Sequence, residues 1–207
     1  MEILKKTILT AVMVITAANF VCAQSFDELE NAFKESYRYE KEGKYGKAIE
    51  ALQRVYNKDN YEINLRLGWL KYSAGLFSEA LPYYEKCIAL KPLSIEARLG
   101  IVNPAAAMGN WTQVEKQYLD ILKIDPHNSQ VNYRLGLIYY GREDYQKAVK
   151  YFSKVVNHYP FDYDGVIMLA WTNLKLKKYR EAEVLFHKAL LFNPYDVSAK
   201  EGLDALK

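Results

Sequence analysis

The chain has 207 residues, 50% of them apolar and 26% charged, with only 10 glycines and 6 prolines. That composition excludes a disordered or fibrous chain and points to an ordered, largely helical protein. Lys plus Arg outnumber Asp plus Glu by 28 to 25, a balance too even to make nucleic acid or an anionic membrane the expected partner.

The first element is MEILKKTILTAVMVITAANFVCAQ. It opens with Lys5 and Lys6, continues in an apolar run from Thr7, and reaches Val21-Cys22-Ala23 before polar Gln24. A basic start, an apolar middle and a small residue at the end make residues 1–23 a secretory signal cut after Ala23. This predicts an exported protein, first of all in a bacterial periplasm. An uncleaved anchor would need roughly 20 apolar residues, and this run is interrupted by Thr16 and Asn19. An outer-membrane lipoprotein acylated at Cys22 would need a small residue where Val21 stands. After cleavage nothing is left to insert in a membrane, residues 24–28 form a short leader, and Cys87 is the remaining cysteine. No disulfide within the chain is then expected, and Cys87, on the inward face of a predicted helix, reads as a small buried apolar residue.

From about residue 29 the chain repeats itself. Prolines fall at Pro92, Pro126, Pro160 and Pro194, a constant step of 34 residues. In the same phase an aromatic recurs at Phe77, Trp111, Tyr145 and Tyr179. Ala80, Val114, Ala148 and Ala182 follow three residues later, then Tyr84, Tyr118, Phe152 and Phe186. Within each unit two apolar-periodic segments of about a dozen residues flank a break such as Ser73-Ala74-Gly75 or Gly141-Arg142-Glu143, which predicts helix, turn, helix. The proline ends the second helix. A first unit, displaced by 32 rather than 34 residues, is marked by Ser36, Tyr45, Ala48 and Leu52.

These marks resemble the tetratricopeptide repeat family, whose pattern Leu135-Gly136, Tyr139, Ala148, Phe152 and Pro160 follow within one unit. The resemblance implies an all-α fold: a right-handed superhelical solenoid of five helix-turn-helix repeats over residues 29–196, closed by a short C-terminal capping helix over residues 197–207. It also implies that the small residues Gly68, Gly136 and Ala170 of first helices, and Ala80, Ala148 and Ala182 of second helices, lie where paired helices touch most closely. A glycine inside a helix costs roughly 0.5–1 kcal/mol relative to alanine, less than forcing a large side chain into such a contact.

The ends suit a stacked array, whose terminal units present a polar outer side. Glu35 stands in the slot that holds Leu67 and Leu135, and Asp204 takes the small-residue slot beside Leu203. The third unit departs from the pattern: Ile101-Val102 replace the Leu-Gly pair, Val114 replaces alanine, and Pro104 falls inside the first helix. Pro104 means either a degenerate repeat or a bend near Asn103 that exposes backbone carbonyls. Pro82 falls in a first turn, where the missing N–H is harmless.

No catalytic constellation stands out. His127, His158 and His187 lie in different repeats without partners at ligand spacing, so no metal site is readable. The chain has no glycine-rich phosphate loop, nucleophile elbow or Cys/His pair that the repeat would bring together. The expectation is a non-enzyme without cofactor. Asn110-Trp111-Thr112 matches a glycosylation sequon, yet Trp111 fills the repeated aromatic slot and is expected in the core.

In the family, first helices line a concave groove. Leu65, Trp69 and Tyr72 share one helix face by their spacing, and Phe33 and Tyr37 precede them. One period on, the face continues through Leu99, Asn103 and Ala106, then Tyr133, Leu137 and Tyr140, then Ile167, Trp171 and Leu174. Neighbouring first helices could cover much of it, but a wall this aromatic and this poor in charge is also the composition of a recognition surface. Family members that grip an acidic C-terminus use Lys, Asn and Arg here; Arg66 and Arg134 are adjacent to the wall, and the lysines are missing. The expected function is an adaptor or scaffold of the cell envelope that binds a protein or peptide partner. Alternatives are a carbohydrate-handling module in polysaccharide export or cell-wall assembly, and a homo-oligomer that buries the wall in itself.

Overall fold

The computed structural model describes residues 26–207. The proposed signal, the cut after Ala23 and Cys22 lie outside the described residues. Among those described, the chain is eleven α-helices with no strand. Helix α1 covers residues 26–41; α2 is Tyr45–Gln53, α3 Tyr61–Ser73, α4 Phe77–Leu90 and α5 Ile95–Ala107. Then follow α6 Trp111–Ile124, α7 Ser129–Gly141, α8 Tyr145–His158, α9 Tyr163–Lys175, α10 Tyr179–Phe192 and α11 Val197–Asp204. They form two compact units that divide after Trp111.

Two sets of residues make the helices start and stop on the period. Asn60, Ser94, Asn128, Asp162 and Asp196 stand at consecutive steps of 34, one before each first helix from α3 onward and one before α11. Each side chain accepts a hydrogen bond from the backbone N–H three residues on, at 2.6–3.1 Å, which satisfies a donor the helix leaves unpaired. At the other end, Gly43, Gly75, Gly109, Glu143 and Lys177 hold positive φ of 59–78°. In each turn the next backbone N–H reaches back five residues, as Leu76 does to the Lys71 carbonyl at 2.9 Å, and this bond closes the first helix. Glycine adopts that φ freely; Glu143 and Lys177 do so against the contact of Cβ with their own backbone.

In the first unit α1 and α2 enclose a core of Ala32, Ala48, Ile49 and Leu52 against Ile63, Leu67 and Leu70 of α3. Helix α4 packs on both α3 and α5. A Cβ placed on Gly68 would lie 2.9 Å from the Tyr84 ring of α4, and one on Gly100 only 2.3 Å from it, so two glycines clasp one aromatic. The third unit has Val102 where Gly68 and Gly136 stand; Gly100 makes a different contact, with the ring of the preceding helix pair. Pro104 is buried and α5 runs on through it to Ala107.

In the second unit α7 pairs with α8 and α9 with α10, and α11 packs on both α9 and α10. A Cβ on Gly136 would lie 2.5 Å from the fully buried Phe152 ring, and one on Gly202, three periods after Gly100, 2.2 Å from Phe186. The buried slots Ala80, Ala148 and Ala182 are fully enclosed. Trp111 corrects the expectation for its slot: it is 52% exposed, and Tyr179 is 54% exposed. Each of these aromatics is the first residue of its helix, whereas Phe77 and Tyr145 at the same place are half-buried.

Candidate functional site

Helix α3 presents Glu62, Leu65, Arg66 and Trp69 on one face, and α5 presents Glu96, Leu99, Gly100 and Asn103 at the same places one period later. With Phe33 and Tyr37 of α1, and the ring of Tyr84 beneath, they enclose a hollow of about 540 Å³ on the inner wall of the first unit. Six of the residues expected to line a groove, Phe33, Tyr37, Leu65, Trp69, Leu99 and Asn103, are brought together there. Tyr72 is set to one side: its ring packs 5.9 Å from Trp69 and 5.8 Å from Phe77, toward the hairpin turn.

The hollow's one cation is already engaged. Arg66 is buried at 8% exposure, its guanidinium 2.6 Å from the Glu40 carboxylate and 3.8 Å above the centre of the Tyr37 ring, with Nε donating to Ser36 Oγ. Trp69 donates its indole N–H to the second Glu40 oxygen at 2.5 Å, while its ring stays 43% exposed. Partial burial works against the Glu40 charge, but the hydrogen bonds from Arg66 and Trp69 and the Arg66 charge outweigh it and hold the carboxyl below its ordinary range. The cluster fixes the orientation of the tryptophan without covering its face.

Glu62 also keeps its charge: its own backbone N–H, and Lys91 at 3.2 Å, lower its pKa against the opposing effect of burial. Glu96 has no ion-pair partner among the described residues. Of this hollow, sequence reasoning missed Glu40, Glu62, Glu96, Tyr84 and Gly100. The signal was there in part, since Glu62 and Glu96 are one period apart.

In the second unit the candidate residues are more enclosed. Tyr133 packs edge-on against Phe152 at 5.8 Å, and Tyr140 against Tyr145 at 5.3 Å; burial raises the pKa of both phenols. Leu137 is half-buried and Ile167 is 7% exposed. Trp171 stands edge-on to Phe186 at 5.2 Å and donates its N–H to Ser198 of α11 at 2.9 Å. Helix α11 thus occupies the space that Trp171 was expected to offer to a partner.

Elsewhere, His127 and His158 stack at 4.2 Å. Among the described residues no group of three or more His, Cys, Asp or Glu is arranged to hold a metal ion, and no helix is long and apolar enough to cross a membrane. Cys87 is fully buried, and burial pushes its thiol pKa up to about 12.

Comparison with known proteins agrees with the repeat. The EMC2 TPR-like repeat domain family matches residues 87–199, and the tetratricopeptide repeat family matches residues 33–95. Human protein O-mannosyl-transferase TMTC1 is 29% identical over 144 residues, 67% of this chain and 16% of that protein. The chain spans 14–40% of the length of the curated relatives it matches. Among solved structures, a tetratricopeptide repeat protein from Parabacteroides merdae superposes with a TM-score of 0.72 at 22% identity, over 87% of this chain and 72% of that one. MamA from Desulfovibrio magneticus superposes with a TM-score of 0.67 at 18% identity, over 83% and 98%. Those likenesses establish the all-helical solenoid fold and not a shared activity. With a first family match that covers more than half of its residues, the chain belongs to the tetratricopeptide repeat family, whose members commonly mediate protein–protein interaction.

Proposed function

We propose that this protein is a non-catalytic adaptor of the cell envelope, exported to the periplasm, that binds an extended or helical segment of a partner protein on the inner wall of its first unit. The observation that carries this reading is the hollow around Trp69. A large aromatic ring is held by the Glu40 carboxylate of a partly buried ion pair yet left 43% exposed, which is the arrangement of a binding anchor rather than of core packing. The adjoining rings of half-buried Phe33 and exposed Tyr37 and the apolar side chains of Leu65 and Leu99 offer a partner a surface to desolvate.

Titration of the purified protein with a peptide library and, separately, with a glycan panel tests the reading, with Trp69 fluorescence as the signal. Saturable quenching or a spectral shift by peptides supports it. Binding by glycans alone would replace it with a carbohydrate-handling role, and a response that follows protein concentration without ligand would replace it with self-association. Export is tested by intact mass of the native protein, expected to begin at Gln24; a mass that retains Cys22 plus acyl chains would place it on a membrane instead.

A further inference from the structure

We infer that the residue of the partner seated in the hollow of the first unit is a cation, the guanidinium of an arginine or the ammonium of a lysine; this rests on the peptide-binding reading proposed above. Hydrogen-bond capacity in the hollow is lopsided. The charge of its one cation, Arg66, is balanced by the Glu40 carboxylate at 2.6 Å, with Nε donating to Ser36 and the guanidinium stacked on Tyr37. The Trp69 N–H is spent on Glu40 as well.

The acceptors on α5 are not spent. On the face of α5 that lines the hollow, Glu96 and Asn103 are seven residues apart, about 10 Å along the axis. Between them is Gly100, whose carbonyl receives no bond from residue 104, because Pro104 has no N–H. Glu62 adds a second carboxylate from α3, offset by Lys91 on its other side. An anionic segment would meet Glu96 and Glu62 with nothing left to neutralise it. A neutral apolar segment would strip water from Glu96 without replacing it, at a net loss. A guanidinium or ammonium satisfies Glu96 and the acceptors near it and can lie over the open indole of Trp69, an attraction that strengthens as water leaves. Acidic residues in a first helical turn also suit the helix dipole, so the test needs a ligand readout and not stability alone.

The experiment follows the ¹⁵N indole resonance of Trp69 in the purified protein. The probes are four degenerate heptapeptide pools with random flanks and a central Arg, Lys, citrulline or Glu. Citrulline keeps the shape of arginine without its charge. The Arg and Lys pools should bind at least about tenfold more tightly than the citrulline pool. That contrast should shrink to about threefold or less in Glu96→Gln and in high salt. The salt arm stands even if Glu96→Gln folds poorly, which circular dichroism would reveal. Should citrulline or Glu pools move Trp69 as strongly as Arg and Lys, the cation is wrong while the groove stands; should no pool move Trp69, the groove reading falls too.

Discussion

Trp69 in the first unit and Trp171 in the second stand at the same place in repeats three periods apart, yet they have different neighbours. Trp69 is held edge-on by a carboxylate and keeps nearly half its surface in solvent, whereas Trp171 lies against Phe186 and donates its N–H into α11. The turns differ in the same direction: those of the first unit use Gly43, Gly75 and Gly109, and those of the second force Glu143 and Lys177 into the same conformation. A place in a repeat therefore determines where a side chain points. What covers it, and how much strain its surroundings bear, depends on the particular residues packed next to it.

The largest test strikes what the two units share, a glycine pressed against an aromatic ring. Gly136→Leu should cost about 3 kcal/mol of stability, although leucine is the better helix former, because the Phe152 ring has no free space to move into. Gly136→Ala should cost less but still destabilise. Urea unfolding measures both, and a leucine variant at or above the wild-type midpoint would show that the contact is absent.

The tryptophans themselves come next. Trp171→Ala should lose about 2 kcal/mol of stability, less than full burial would cost because the ring is only partly enclosed. Trp69→Ala should lose under about 1 kcal/mol of stability but at least about thirtyfold in affinity for a bound peptide. Trp111→Ala, exposed at the start of α6, should change melting by little. Equal unfolding by Trp69→Ala and Trp171→Ala would erase the difference between the two walls.

A smaller effect of opposite sign is expected in the turns. Glu143→Gly and Lys177→Gly should each raise stability by up to about 1 kcal/mol, since relief of the positive-φ strain exceeds the added entropy of the unfolded chain. Gly75→Ala should do the reverse. Thermal melts of the three variants, compared at equal concentration, would settle the sign.

The smallest effect is a titration. The Glu40 carboxyl is held below its ordinary value of 4.5. Its contribution is therefore complete above that value and is lost as pH falls through the lower folded-state pKa. Trp69 fluorescence, read with Trp111 and Trp171 replaced by phenylalanine, should stay flat from about pH 7 to about pH 5 and change with a midpoint below 4.5. A midpoint at or above that value would mean that Arg66 and Trp69 do not stabilise the charge.

Much of this architecture was legible before any coordinates. Prolines, alanines and aromatics in phase placed the helix pairs, and Gly136 in a helix interior announced a close contact. The helix caps were equally legible and went unnoticed: Asn60, Ser94, Asn128, Asp162 and Asp196 vary in identity, so the period is visible only when they are grouped by what their side chains accept. Trp111 was misjudged because an aromatic at a constant position resembles a core residue, and the same place is half-buried at Phe77 and Tyr145 but exposed at Trp111 and Tyr179.

By itself the sequence determined the repeat length and the helix starts and stops, because caps, turns and helical spacing act over a few residues along the chain. Only the tertiary structure decided that Glu40 of α1 would lock Arg66 and Trp69 of α3, that Gly100 of α5 would press on the Tyr84 ring of α4, and that α11 would cover Trp171. Each of these is a contact between helices, across 26 to 29 residues in the ion pair, the indole bond to Glu40 and the indole bond to Ser198. Such contacts turn on how side chains of particular length meet, which no periodicity specifies.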